Sequence, residues 1–496
     1  MTKVSGCSSM FSMDELEILN FYNNWWLTGK IQSELLKKYH RRAFSGLQIE
    51  LPYEDYSRIV SLVGPRQTGK TTLLYQLINL LLKKKIDPKR ILFLSISDPV
   101  FVDNQEFLEK CLETYEKVVL KEQLNNLREP IYVFLDEIQY LKKWELWLKR
   151  YYDLNYKIKF IISGSASSRI IEKGRESLAG RISEIKLFPM SFEEFLKLHQ
   201  SQVEESWKLD SYSLTNYSFL YTFKKPYQEL RDYKSFESFW LRIKEKKQEV
   251  MARQNLAVSH LHQYMEKGGF PGVYKHEDLS IVYRYLNQDV LERVTAQDIP
   301  QIAEIRDVKL LQGLILRVAQ RSGSIFSYRN LASESGARSE TIRNYLTYLS
   351  SAFLIWELWQ FRKAEMAKLK ANKKFYICDL GLRHSVLKYS TEKIFSSEEK
   401  GIGAETLVFN HLNKEEKKIS FWRKGDFEVD FVVDKFGFIL PIEVKFRKNI
   451  AQDDLKGIKK FIGQYKLNGG IVVTDSLLDY QKGIIFIPLW LFLLLC

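Results

Sequence analysis

The residues best suited to chemistry lie in three short stretches. From Gly64 to Thr71 the chain reads GPRQTGKT, the pattern GxxxxGK[ST], with Thr72 following. Glycines at both ends let a backbone wrap closely around an anion, a lysine supplies a mobile positive charge, and a hydroxyl can ligate a hard cation. That is phosphate-binding chemistry. Gly64, Pro65, Arg66, Gln67, Thr68, Gly69, Lys70, Thr71 and Thr72 are the candidate contacts to a nucleotide. Lys70 would reach the β- and γ-phosphates and Thr71 would ligate Mg²⁺.

The second stretch, IYVFLDEIQ, is an apolar run ending in Asp136-Glu137. Asp136 would hold Mg²⁺ through water, and Glu137 would orient or deprotonate the attacking water. KFIISGSASS follows and ends in small polar residues. Ser163 or Ser165 would contact the γ-phosphate or the water, or simply cap a helix. Of Arg169, Arg175 and Arg181, one is a candidate arginine finger; each alone reads equally as a surface residue.

The third stretch, FEVDFVVDKFGFILPIEVKFR at 427–447, sets Asp430, Glu443 and Lys445 inside apolar runs. Two carboxylates can hold Mg²⁺, which polarises a phosphodiester and acidifies a bound water, and a lysine beside them can orient that water. Glu405 lies upstream in the amphipathic GIGAETLVFNHL. The order is specific: Glu on a helix, Asp on a strand, ExK on the next strand, then a helix and a strand. Two alternatives need no cleavage: a salt bridge between Lys445 and an acid, or a nuclease fold that no longer cuts.

These residues require elements to carry them. Between 58 and about 190, RIVSLVG, RILFLSI, IYVFLDE and IKFIISGS alternate with helical stretches, which implies a parallel sheet covered by helices. Residues 1–57 read as a helical lead-in, and 191–305 as helical and polar, broken by KGGFPGVY. Residues 308–380 read as three helices and two strands, with a turn at Gly336 and a cap at Ser339. Ile342, Tyr345, Leu346 and Leu349 have core spacing, leaving Arg343, Asn344 and Thr347 outside. Six basic residues fall between Arg362 and Lys374. This is a winged-helix pattern with a basic wing, or a packing module whose loop is merely solvated. Residues 396–480 read as helix, three strands, helix, strand. Strand alternation puts Glu428, Asp430, Val432 and Asp434 on one face, and Glu443 with Lys445.

The chain has 496 residues, more than one compact domain holds. Its net charge of +14 suits a polyanionic partner, or a Lys-rich surface kept soluble by charge. Four scattered cysteines without a CxxC argue against a disulfide framework and fit a reducing cytoplasm. The N-terminus has no signal-peptide core. The terminal GIIFIPLWLFLLLC is too short to span a bilayer and is interrupted by Pro488, so it reads as a buried strand or helix and no membrane partner is expected.

GPRQTGKTT, VFLDEIQ, ISGS, LAGRISEIKLFPMSFEEFL, GGFPGVY, TIRNYLTYLSSAFLIWEL, CDLGLR, GAETLVFNHL and EVDFVV…PIEVK run in this order from 58 onward. The chain thereby resembles the AAA-type ATPases of archaea and bacteria that end in a restriction-endonuclease-like domain of unknown function. The resemblance implies an α/β protein: a P-loop parallel-sheet core at 58–196, a helical lid with an insertion at 197–307, a winged helix at 308–380 and a PD-(D/E)xK-type domain at 381–496. It implies ATP and Mg²⁺ as cofactors and nucleotide roles for Lys70, Thr71, Asp136 and Glu137. Arg181, in the family's GR, would sense nucleotide. Glu405, Asp430 and Glu443 would hold metal, with Lys445 catalytic. The stretch 200–260 is longer than the family's. DNA is the expected partner, with a homo-oligomer and a protein partner left open. Two functions follow: an ATPase acting on DNA with a Mg²⁺-dependent nuclease site, or a nucleotide-dependent switch whose nuclease-like domain is only a binding surface.

Overall fold

A computed structural model of the protein describes residues 14–53, 58–165, 178–203, 221–230, 233–303, 305–362, 373–414, 418–435 and 437–496. The chain divides into two compact units: Met1–Phe188 with Asp298–Glu304, and Pro189–Gln297 with Ile305–Cys496.

The first unit is built on β1 (Ile59–Gly64), β2 (Ile91–Ser95), β3 (Ile131–Asp136), β4 (Ile158–Ser165) and β5 (Ile182–Lys186), all parallel in the order β2-β3-β4-β1-β5. Unbroken burial along β1, β3 and β4 shows that helices cover both faces. The helix Lys70–Lys83 turns Leu73, Leu74, Leu77, Ile78 and Leu81 inward, the spacing of one helical face. Because every strand runs the same way, the carboxyl ends of β1, β4 and β3 meet at one edge, where ligands bind in sheets of this kind. The N-terminal helices pack on this sheet: Asn23 accepts from the Phe93 amide, and Trp25 and Trp26 both donate to the Ile91 carbonyl.

The second unit holds β6 (Ile325–Phe326), β7 (Ile355–Gln360), β8 (Lys373–Ile377), β9 (Lys418–Lys424), β10 (Phe427–Lys435), β11 (Phe438–Lys445), β12 (Gly470–Thr474), β13 (Asp479–Gln481) and β14 (Ile484–Pro488). They form one mixed sheet, ordered β13-β14-β12-β11-β10-β9-β7-β8-β6. Helices Val308–Gln320, Tyr328–Ser335 and Ser339–Ser351 precede the β7/β8 pair, with Ser327 as the cap of the middle helix. Ile342, Tyr345, Leu346 and Leu349 are buried while Arg343, Asn344 and Thr347 are exposed. The cap expected at Ser339 falls on Arg338 instead, and Ser339 opens the helix. Most of the basic loop, 363–372, lies outside the described residues.

The sequence reading separated 308–380 from 381–496, yet β7 pairs in parallel with β9 at Trp359–Ser420 and Gln360–Phe421. An unpaired strand edge leaves backbone donors and acceptors unsatisfied, and β9 covers the edge of β7. Such non-local pairing leaves no mark in a strand's own sequence. A second departure lies in β10. A bulge between Val429 and Val432 packs both into one cluster with Leu455, Ile458 and Phe461, so strict alternation from Glu428 to Asp434 is interrupted. The terminal run forms β14 and the buried helix Leu489–Leu495. No helix among the described residues is long and apolar enough to cross a membrane.

Candidate nucleotide site and carboxylate cluster

The phosphate loop leaves β1 at Gly64 and enters the helix at Lys70. Gly64 lies so close to the backbone that a Cβ would fall 2.1 Å from the Leu187 carbonyl oxygen. Gly69 has φ +94° and Gln67 φ +63°, left-handed values that turn the loop on itself. Thr68 Oγ1 donates to the Pro65 carbonyl (2.9 Å), and Lys70 Nζ donates to Gly64 O and Pro65 O at 3.1 and 3.0 Å. Thr71 Oγ1 donates to Asp136 Oδ2 at 2.7 Å. Ser163 donates to the other oxygen of Asp136 and accepts from the Glu137 amide at 3.2 Å. Ser165 N donates to Gln139 Oε1 (3.2 Å), and Gln139 in turn donates to Glu137 Oε2 (2.5 Å). Thr72 lies half-buried in the first turn of the helix.

Glu137 has φ +54°, a strained value for a side chain of its size, directly after the strand. The two acids are shifted in opposite directions. Burial and the neighbouring Glu137 push Asp136 upward, against donation from Ser163 and Thr71. Burial acts the same way on Glu137, but Lys70, Gln139 and Arg66 outweigh it and hold the group below its ordinary value. Glu137 is thus held toward its ionised form, and the Thr71 and Asp136 oxygens stand together as a Mg²⁺ site requires, so the residues fit that ion.

Three partners of this loop carry no signal near it in sequence. Arg41 donates to Thr68 O and Phe188 O, both at 2.8 Å, bracing the loop from the lead-in. Arg66 pairs with Asp298 and with the Tyr140 hydroxyl. Arg181 is not brought to the site. It precedes β5 level with the start of β1, roughly 16 Å of strand from Gly64, and is paired with Asp153 at 2.7 Å. Arg169 and Arg175 lie outside the described residues.

In the second unit β10 and β11 pair antiparallel with Phe431 opposite Ile442, which sets Asp430 against Glu443 one step on. Asp430 Oδ2 accepts from the Val444 amide at 2.8 Å, and Lys445 Nζ donates to Glu443 Oε1 at 2.6 Å. Glu443 Oε2 is buried without a hydrogen-bond partner among the described residues. Burial and Asp430, against Lys445, raise Glu443 to about 8. Burial alone would lower Lys445, but Glu443 and Asp430 raise it.

Glu405, on the helix Ser397–Asn413, takes its hydrogen bonds from other residues. It accepts from Tyr376 at 2.6 Å and from Lys374 at 3.3 Å, and Lys374 also meets Glu428 at 2.6 Å. Burial and Asp430, against the pull of Lys374, bring Glu405 to about 7. Lys374, expected among the bases of an exposed loop, is only 4% exposed. Among the described residues no three His, Cys, Asp or Glu side chains are grouped to hold one metal ion. Asp430 and Glu443, with its unpartnered oxygen, are the two that fit.

A carboxyl raised by the fold costs stability as it ionises, so Glu443 favours the folded state at low pH and loses that advantage as pH rises from 4.5 toward 8. Glu443→Gln should remove the dependence. Between pH 6 and 9 the wild-type melting temperature should fall by roughly 3 °C more than that of the variant, measured without divalent ions.

A five-stranded parallel sheet carrying this loop and acid pair gives the first unit the organisation of a P-loop nucleotide-binding fold. Residues 56–196 match the family described as an AAA domain. Residues 258–393 match a domain of unknown function, DUF8612, and 400–492 match another, DUF4143. An uncharacterised protein of Haemophilus influenzae is 24% identical over 410 residues, covering 81% of this chain and 85% of that protein. One from Methanocaldococcus jannaschii is 25% identical over 454 residues, covering 89% and 85%. The structure of the Aeropyrum pernix ORC1 protein in complex with DNA is similar at 12% identity and a TM-score of 0.30, over 74% of this chain and 96% of that one.

Proposed function

We propose that the protein binds and hydrolyses ATP with Mg²⁺ and acts on DNA through its second unit. The observation that carries the ATPase reading is the joining of Thr71, Asp136 and Ser163 beside an ionised Glu137. In this reading the loop amides and Lys70 hold the phosphates, Thr71 and Asp136 hold Mg²⁺, Ser163 fixes Asp136, and Glu137 takes the proton of the attacking water. Mg²⁺ would supply charge neutralisation at the phosphates. The DNA reading is supported by the net charge of +14 and by Arg343, Asn344 and Thr347 exposed on one helix of a winged-helix order.

In the nuclease-like region Asp430 and Glu443 would hold a divalent ion, with Lys445 orienting water and Glu405 placed beside them. One observation favours a second reading, a nucleotide-dependent switch with a non-cleaving surface. The Lys374 ammonium already pairs with Glu405 and Glu428.

The test is ATP turnover and strand cutting by the purified chain on single- and double-stranded DNA, with Mg²⁺ or Mn²⁺, across a salt series. DNA should bind at moderate salt, weaken linearly in log salt and raise ATP turnover. Absence of both effects removes the DNA reading. Cutting that needs the metal and is lost in Asp430→Ala selects the nuclease; no cutting in either protein selects the switch.

A further inference from the structure

Arg66 sits inside the phosphate loop, yet its side chain is held from far along the chain. Its Nε donates to Asp298 Oδ2 and its Nη2 to Asp298 Oδ1, both at 2.7 Å. Nη2 also donates to the Tyr140 hydroxyl at 2.6 Å. The Asp298 side chain is 3% exposed and that of Arg66 15%. Two parallel hydrogen bonds fix the plane of a guanidinium as well as its place, which a single contact does not. They use Nε and Nη2. Nη1 makes no hydrogen bond within the described residues, so the pair orients the arginine and leaves its outer nitrogen free to donate. Arg66 and Asp298 are both charge-coupled to Glu137, and Asp298 also to Lys70, which places this pair within the nucleotide site's own field.

Asp298 has an unusual origin. The chain that builds the second unit leaves it after Gln297, contributes Asp298–Glu304 to the first unit, and returns at Ile305. Asp298 ends a π-helical turn, Val294–Asp298, and immediately precedes the short helix Ile299–Ile302 without capping it through its side chain. Wide turns of this kind cost backbone energy and tend to persist where they aim a side chain.

We propose that Asp298 is a positioning residue of the nucleotide site: it presents Arg66 to the phosphates of ATP, so that the phosphate loop is completed by a segment borrowed from the chain of the second unit. Arg66 Nη1 would donate to a phosphate oxygen, and Asp298 would act only through Arg66. Any event that draws the 298–304 segment away would loosen Arg66 and weaken nucleotide binding. This inference rests on the ATPase reading.

The test uses the full chain and steady-state ATP hydrolysis. Asp298→Asn keeps the shape but weakens the pair. It should raise KM for MgATP about tenfold while kcat stays within about threefold. Asp298→Glu, which keeps the charge, should recover part of the loss. In an Arg66→Ala background, itself raised in KM, Asp298→Asn should add nothing, because removing one partner leaves the other without its route to the phosphates. A merely structural role would lower the melting temperature and the active fraction without changing KM. Should Asp298→Asn not fold, Tyr140→Phe removes only the hydroxyl that shares Nη2; it should raise KM about twofold to threefold and likewise be silent beside Arg66→Ala. An unchanged KM in both single variants, or a loss that persists undiminished in the Arg66→Ala background, overturns the proposal. Failure of the wild-type chain to bind MgATP would instead refute the ATPase reading itself.

Discussion

Glu137→Gln is expected to lower kcat for ATP about a thousandfold while nucleotide affinity stays within about threefold. The substitution preserves size and removes the charge. The Glu137 carboxylate is held below its ordinary value by Lys70, Gln139 and Arg66 despite burial. A glutamine in its place can still meet the Gln139 amide through its own carbonyl oxygen, so the left-handed turn at 137 and the Gln139–Ser165 link survive. What it lacks is a base for the attacking water. Single-turnover hydrolysis and binding of a fluorescent ATP analogue separate the two effects. Equal losses in both would place Glu137 in binding rather than in the chemical step. Because ATP would persist in this variant, its size by light scattering with MgATP also shows whether an ATP state assembles.

The second large effect is at Lys374. Lys374→Met should destabilise the second unit by about 3 kcal/mol at pH 8, the low end for breaking a buried ion pair, because Glu405 and Glu428 retain some water. The lysine is almost fully enclosed, and methionine fills much of its volume, so lost packing is minor. The cost comes from two carboxylates left facing each other beside Asp430. Glu405 is already brought to about 7 with the lysine present, and removing the cation pushes it further up. Protonation relieves such a group, so the deficit should shrink as pH falls below 7 and be smallest near pH 5. Urea unfolding of both proteins at pH 5 and pH 8 measures this. A deficit independent of pH would show that Lys374 contributes by packing and not by charge.

The candidate nucleotide site was largely legible in the sequence because its parts are local. The loop needs glycines at fixed offsets after a strand, and the acid pair needs a strand end; both patterns sit in contiguous residues, GPRQTGKT and VFLDE. Ser163 was legible for the same reason, as the end of an apolar run. Arg181 was misplaced because its position depends on which end of β1 the strand β5 begins beside, a matter of pairing register. The carboxylate pair Asp430 and Glu443 followed from a hairpin, the most local of sheet contacts.

The amino-acid sequence by itself determined which residues are candidates for chemistry and which element each would ride on, since spacing along a helix or strand sets both. Only the tertiary structure decided their partners. Arg41 braces the phosphate loop, Asp298 holds Arg66, and Lys374 pairs with both Glu405 and Glu428. A buried charge must be paired, but any opposite charge in the chain can serve, so the choice is made by packing rather than by pattern. The same holds for the joining of β7 to β9, which links strands about sixty residues apart because backbone hydrogen-bonding groups at a strand edge need a partner from somewhere.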